Sequence, residues 1–328
     1  MLSLSVAVTA CGGGGGSVTT PPVIADDANR AVDATRFDAA SVSSLQTVDC
    51  TLSNGVETSC FEITLNGFPA ARTSLGPFCP QTTSTAATEA GTWFDSGVLY
   101  DLTGEFVANL ATFYGDDNWQ LFDASTGEVR ITDTQASCEA AAQPNVPDEF
   151  NNFCVQCDIG YYNATPGQGV EATYLIPTIP QPRSEPGSIG QAGVGAAYDG
   201  VKIDAAAPVD AILGAYTIAA FDDCVGHVNP VAGYHYHGAN QGDGDCPGIS
   251  FEDDGHAGAF GYALDGYAIH TMLDQDGNEA SDLDVCRGHT DDARGYHYHA
   301  ASAGENAFIG CFSGETVAVD DSRPPPPG

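Results

Sequence analysis

Apolar and polar positions alternate with a period of two along Cys60-Phe61-Glu62-Ile63-Thr64-Leu65, which runs into the turn pair Asn66-Gly67. The stretch Gly127-Glu128-Val129-Arg130-Ile131 repeats the pattern after a turn, and both predict half-buried strands. Helical spacing is confined to residues 137–143 and 209–213, and 39 glycines with 19 prolines interrupt any longer run. The expected class is therefore mainly β, a disulfide-rich sandwich or barrel-like domain with an internal duplication and few short helices. Between residues 177 and 190, Pro177, Pro180, Pro182 and Pro186 favour a stiff, extended connection over a helix or a central strand.

The ends of the chain read differently. An apolar start over residues 4–10 is followed by Cys11, and Val8-Thr9-Ala10-Cys11 resembles a lipobox, which implies a lipid on Cys11. Met1-Leu2-Ser3 lacks the basic residues that begin a complete signal peptide, as a truncated one would. The expected layout is a lipoprotein signal segment over residues 1–11, a flexible tether over 12–47, one domain over 48–314 and a proline-rich tail over 315–328. Setting Cys11 aside, ten of the 11 cysteines remain for five disulfides. That usage points to an extracytoplasmic protein, either an outer-membrane lipoprotein or a secreted one. Beyond residue 11 no apolar run is long enough to span a membrane.

Charge narrows the partners. With 44 acidic against 9 basic residues the formal charge is −35, which repels nucleic acid and anionic lipid and leaves the lipid on Cys11 as the only expected tie to a membrane. The acidic residues are scattered in short groups such as Asp222-Asp223 and Asp253-Asp254, as on a solvated surface. Their field also concentrates cations.

All eight histidines fall between His227 and His299. Cys224-Val225-Gly226-His227 followed by Gly233-Tyr234-His235-Tyr236-His237 recurs as Cys286-Arg287-Gly288-His289 followed by Gly295-Tyr296-His297-Tyr298-His299, each matched position 62 residues on. Upstream, Tyr198-Asp199-Gly200-Val201-Lys202-Ile203 pairs with Leu264-Asp265-Gly266-Tyr267-Ala268-Ile269, and Leu65-Asn66-Gly67-Phe68-Pro69 is a looser third version. The duplicated units span residues 195–246 and 261–311. Each carries a later cysteine, so Cys224–Cys246 and Cys286–Cys311 are the preferred disulfides.

On a strand, residues two apart share a face, so His235 and His237 project together while Tyr234 and Tyr236 face the other way. His297 and His299 do the same in the second copy. If the copies pack as a pair, two to four of these nitrogens converge on one ion, with His227, His289 and His256 as further ligands; such a set suits copper, placed ahead of zinc. A plainer reading has the histidines hydrogen-bonding loop backbone while the tyrosines fill the core. Mixed Cys-x-x-His zinc ligation is the other alternative, weakened because oxidation removes the thiolates. Cys154-Val155-Gln156-Cys157 reads as plain disulfide partners ahead of a redox pair, and Asp199 and Asp265 as turn residues, with orientation of the imidazoles as the alternative. Residues 273–279 with Asp282 and Asp284 resemble part of a calcium loop without its spacing, which leaves calcium a weak expectation.

At Tyr234-His235-Tyr236-His237 the sequence resembles the YHYH family. The resemblance extends to Cys224-Val225-Gly226-His227, His256 ahead of Gly261-Tyr262-Ala263-Leu264-Asp265-Gly266, Asp282-Leu283-Asp284-Val285-Cys286 and Ile309-Gly310-Cys311-Phe312, and covers residues 48–314. It implies a secreted or surface protein with one extended domain and carries no settled reaction; His270 stands where the family often has tyrosine. His235-Tyr236-His237-Gly238 is also similar to an element of multicopper oxidases, but the His-Cys-His segment of those enzymes is missing. The function expected is an exported metal-binding protein. A metal-dependent enzyme, oxidative with copper or hydrolytic with zinc, and a disulfide-stabilised structural or adhesive module are the alternatives.

Overall fold

The computed structural model describes residues 31–143, 145–190, 192–240, 246 and 254–318. The signal segment with Cys11, most of the tether and the Pro-rich run at the end lie outside them. In chain order the strands are β1 (Val42–Thr51), β2 (Glu57–Leu65), β3 (Thr92–Asp95), β4 (Val98–Asp101), β5 (Cys154–Val155), β6 (Ala172–Pro177), β7 (Pro182–Gly187), β8 (Gly195–Ala197), β9 (Lys202–Ile203), β10 (Ile218–Ala219), β11 (Gly226–Asn229), β12 (Gly233–Tyr236), β13 (Ala259–Ala263), β14 (Ala268–His270), β15 (Gly288–Asp291), β16 (Gly295–His299) and β17 (Phe312–Gly314). The α-helices are short: α1 (Gly104–Ala108), α2 (Leu110–Tyr114), α3 (Gln135–Ala141) and α4 (Val209–Gly214).

The protein is mainly β, as expected, but among the described residues no sheet closes into a barrel. The largest has eight strands in the order β11-β12-β9-β8-β13-β14-β16-β15. This order is the duplication made visible. β8, β9, β12 and β11 form one half, and β13, β14, β16 and β15 repeat the same pairings outward in the other. The halves meet where β8 runs antiparallel to β13, with Gly261 opposite Ala197 and Ala263 opposite Gly195. Gly195 and Gly261 are equivalent by the 66-residue offset; a Cβ on either would overlap the carbonyl of Tyr262 or Ala196 across the seam, so both must lack a side chain for the copies to join.

Tyr236, Tyr298, Ile203, Ile269, Phe260 and Phe308 form the core under this sheet. The strand predicted at residues 60–65 lies within β2, and both predicted helices form. Around Gly127 there are only isolated bridges, Glu128 to Thr82 and Val129 to Phe122, where a strand was expected. The proline-rich connection contains β7, paired with β17 alone among the described strands; proline is tolerated at such an edge. Ordered structure begins earlier than Val48: Phe37 packs on Tyr198 and Tyr262, and β1 starts at Val42. It also runs past Gly314, because Glu315 pairs with Arg183 at 2.9 Å and Val317 bridges Leu52.

Five disulfides join Cys50–Cys60, Cys79–Cys154, Cys138–Cys157, Cys224–Cys246 and Cys286–Cys311. A chain bridged in this way folds in an oxidising, extracytoplasmic compartment. The last two bridges are the preferred pairs, and Cys154 and Cys157 each bond elsewhere rather than to one another. Among the described residues no helix is long and apolar enough to cross a membrane.

Candidate metal centres

Each histidine unit is a β-hairpin whose geometry is locked from its tyrosine face. In the first copy His227 stands opposite His235, and in the second His289 stands opposite His297. Tyr234 donates to Asp222 Oδ2 at 2.8 Å and Tyr236 to Asp199 Oδ2 at 2.7 Å. Tyr296 and Tyr298 repeat this on Asp284 and Asp265, at 2.8 and 2.6 Å. The second carboxylate oxygen of Asp222 accepts the Cys224 and Gly226 N–H groups, as that of Asp284 accepts those of Cys286 and Gly288. That cap holds Val225 and Arg287 in the left-handed region, at φ 57° and 68°, a conformation costly for a branched residue. Gly226 and Gly288 follow because a Cβ there would overlap the ring of Tyr234 or Tyr296.

Asp199 and Asp265 thus serve as turn residues and tyrosine acceptors; the hydrogen bonds they make go to tyrosine hydroxyls and backbone, not to an imidazole. Burial pushes both carboxyls up to about 6, against the opposing effect of the tyrosine hydroxyls. With the tyrosines anchored beneath, strand alternation leaves the imidazoles no choice of face.

In the second copy four rings meet. His289 Nε2 lies 3.0 Å from His297 Nε2, which lies 3.1 Å from His256 Nε2, and His299 Nε2 is 3.1 Å from His289 Nε2. Every Nδ1 points outward to an acceptor: His256 to the Ala257 carbonyl at 3.0 Å, His289 to Asp282 Oδ1 at 2.8 Å, His297 to the Gly295 carbonyl at 2.9 Å and His299 to the Thr271 carbonyl at 3.0 Å. A carbonyl or carboxylate oxygen accepts, so each Nδ1 carries a proton, and in that neutral tautomer the Nε2 lone pairs turn inward. Four lone pairs at such distances repel unless a cation stands among them. Burial and the neighbouring rings push His299 down to about 3, and burial foremost pushes His297 down to about 4, so protonation of these two rings is a poor way to supply that cation.

The first copy gathers three rings, with His227 Nε2 3.0 Å from His235 Nε2 and His237 completing the group. His235 Nδ1 donates to the Gly233 carbonyl at 3.0 Å, and His237 is buried beside the Ala205 backbone, which favours its charged form less than burial opposes it. Burial, reinforced by the other imidazoles, holds His227 well below its ordinary value and His237 at about 3.

Within each group all candidate ligand atoms lie within 4.8 Å of one another. Imidazole–metal bonds of about 2.0–2.1 Å place neighbouring nitrogens about 2.9 Å apart in a square plane and about 3.3 Å apart in a tetrahedron. The shortest spacings, 3.0–3.1 Å, fall between the two, and each donor set could hold a first-row transition metal. The outward Nδ1–H bonds are the outer contacts that orient metal-bound histidines.

The seven histidines expected as ligands all lie in these groups, but not as one shared set. β9, β8, β13 and β14 separate β12 from β16, so His235 and His237 meet His227, whereas His297 and His299 meet His289 and His256. The two-fold arrangement sends equivalent hairpins to opposite ends of the sheet. Sequence reasoning missed Asp282, the acceptor behind His289, and the pair Lys202 and Asp204 beside His235. It also left His270 aside, although its ring centroid is 4.8 Å from those of His256 and His297. The calcium-like carboxylates are engaged locally, Asp274 by the Asp276 and Asn278 N–H groups and Asp282 by His289.

Residues 173–281 match the family described as YHYH protein, the family the tetrapeptide suggested. The match takes in β11 and β12 with the whole three-histidine group, His256 and His270, and ends ahead of β15. No curated protein and no solved structure matches the chain.

Proposed function

We propose that this chain is an exported metal-binding protein with two transition-metal centres, one on His227, His235 and His237 and the other on His256, His289, His297 and His299. The observation that carries the reading is the set of four inward Nε2 lone pairs whose Nδ1 protons are committed elsewhere. Plain structural histidines would spread their two nitrogens over separate partners; here one nitrogen of each ring is spent on orientation and the other is presented. All-imidazole sets suit copper or zinc, with copper ahead in intrinsic affinity. The disulfides and the charge of −35 agree with an exported protein in contact with cations, and the lipobox-like segment extends the reading to a lipid anchor on Cys11.

Elemental analysis of untagged protein purified after export tests this directly. Two equivalents of copper or zinc are expected, falling to one in His235→Ala/His237→Ala and to one in His297→Ala/His299→Ala. Metal content that is substoichiometric and indifferent to both substitutions would falsify the reading.

A further inference from the structure

The two centres differ where the duplication departs from itself. The position 66 residues ahead of His256 is Gly190, which has no side chain to offer, so among the described residues the three-histidine group has no counterpart to that ligand. Ahead of His270 by the same offset is Asp204, and ahead of Ala268 is Lys202, the only lysine of the chain. Lys202 stands beside His235 in the parallel β9–β12 ladder. Its Nζ lies 3.1 Å from Asp204 Oδ2, which in turn is 3.9 Å from His235 Nε2. The side chains of Lys202 and Asp204 are 19% and 16% exposed against 1% for His235, so this ion pair reaches solvent where the imidazole does not.

We propose that the three-histidine centre keeps one exchangeable coordination position for a small anionic oxygen or nitrogen donor, held beside the metal by the Lys202 ammonium, while the four-histidine centre is closed. The inference rests on the metal-binding reading above. Three imidazoles leave a divalent metal one ligand short of a tetrahedron, the arrangement of sites that bind water or substrate, whereas four complete it. The chain as a whole repels anions, and its single lysine stands beside His235 in the β9–β12 ladder and ion-pairs with Asp204. Asp204 balances that lysine until the anion takes its place.

The test uses the full chain loaded with copper(II), with copper counted before sodium azide is titrated in and the azide-to-copper charge-transfer band followed. One azide per chain is expected. The band should vanish in His235→Ala/His237→Ala while one copper remains, and should persist in His289→Ala/His299→Ala. Lys202→Met should keep two coppers and bind azide about tenfold more weakly. Two coppers with no azide band overturn the proposal, as does a band that appears only in Asp204→Asn, which would make Asp204 the fourth ligand. A band that follows His289 and His299 also overturns it, placing the open position beside the groove lined by Arg36, Arg294 and His270. Unchanged azide affinity in Lys202→Met removes the lysine from the site. If the His235/His237 variant fails to fold, the wild-type azide stoichiometry and Lys202→Met decide alone. Absence of copper at the first count would instead overturn the metal reading.

Discussion

The same hairpin, built twice from the same residues, ends in two different centres. In the second copy four imidazoles meet, each with an acceptor behind its Nδ1; in the first three meet, with the Gly233 carbonyl behind His235 and the Ala205 backbone beside His237. The hairpin framework cannot be the cause, since tyrosine anchors, aspartate caps and left-handed residues match position by position. What differs is supplied from outside the hairpins, by His256 and Asp282 on one side and by Lys202 and Asp204 on the other. A duplicated scaffold fixes where imidazoles stand, and the connecting segments decide how many donors meet and whether a position stays open.

The largest effect that would break this comparison is removal of a histidine pair from one copy, which should cost that copy its ion and leave the other occupied, as metal counting would show. Loss of both ions from a single pair of substitutions would mean that the centres are coupled or shared.

Acid should act next most strongly. In the folded, metal-free chain His227, His235, His237, His270, His297 and His299 are held below their ordinary range, chiefly by burial. The unfolded chain takes up those protons near pH 6.5 and the folded one resists them, so these histidines make stability fall as pH drops below about 6.5. Asp199 and Asp265, raised to about 6, have the opposite sign, because between about pH 4 and 6 only the folded state holds their protons. Six histidines outweigh two aspartates, so urea midpoints of the apoprotein should decrease toward pH 4. A midpoint that rises over this range would show that the rings are charged in the fold.

Two smaller effects sharpen the comparison. Gly288→Ala pushes a methyl group into the Tyr296 ring and should destabilise by about 1–3 kcal/mol, read as a lower urea midpoint, with metal lost first from the four-histidine centre. Asp282→Asn removes the carboxylate behind His289 and should weaken that centre alone, by about 10- to 100-fold in a competitive chelator titration.

Much of this was legible in the sequence. The 62-residue offset named the hairpins, the period of two put His235 with His237 and Tyr234 with Tyr236, and the cysteine spacing gave two of the five bridges. The separation of the centres was not legible, because it depends on β8 meeting β13 antiparallel, and Gly195 and Gly261 carry no pattern that distinguishes a seam from a turn. Nor were Asp222 and Asp284 found as anchors: they look like surface acids until the tyrosine hydroxyls and hairpin N–H groups are placed around them. Gly127–Ile131 alternates like a strand but finds only single bridging partners, since alternation describes a half-buried edge and not the neighbour that must pair with it.

The most direct test of two separate centres is native mass spectrometry of the full chain titrated with zinc, compared with His256→Ala. Two ions should bind in sequence, the tighter one losing affinity in the variant while the weaker one is unchanged. A single bound ion that requires His235, His237, His297 and His299 together would contradict the account.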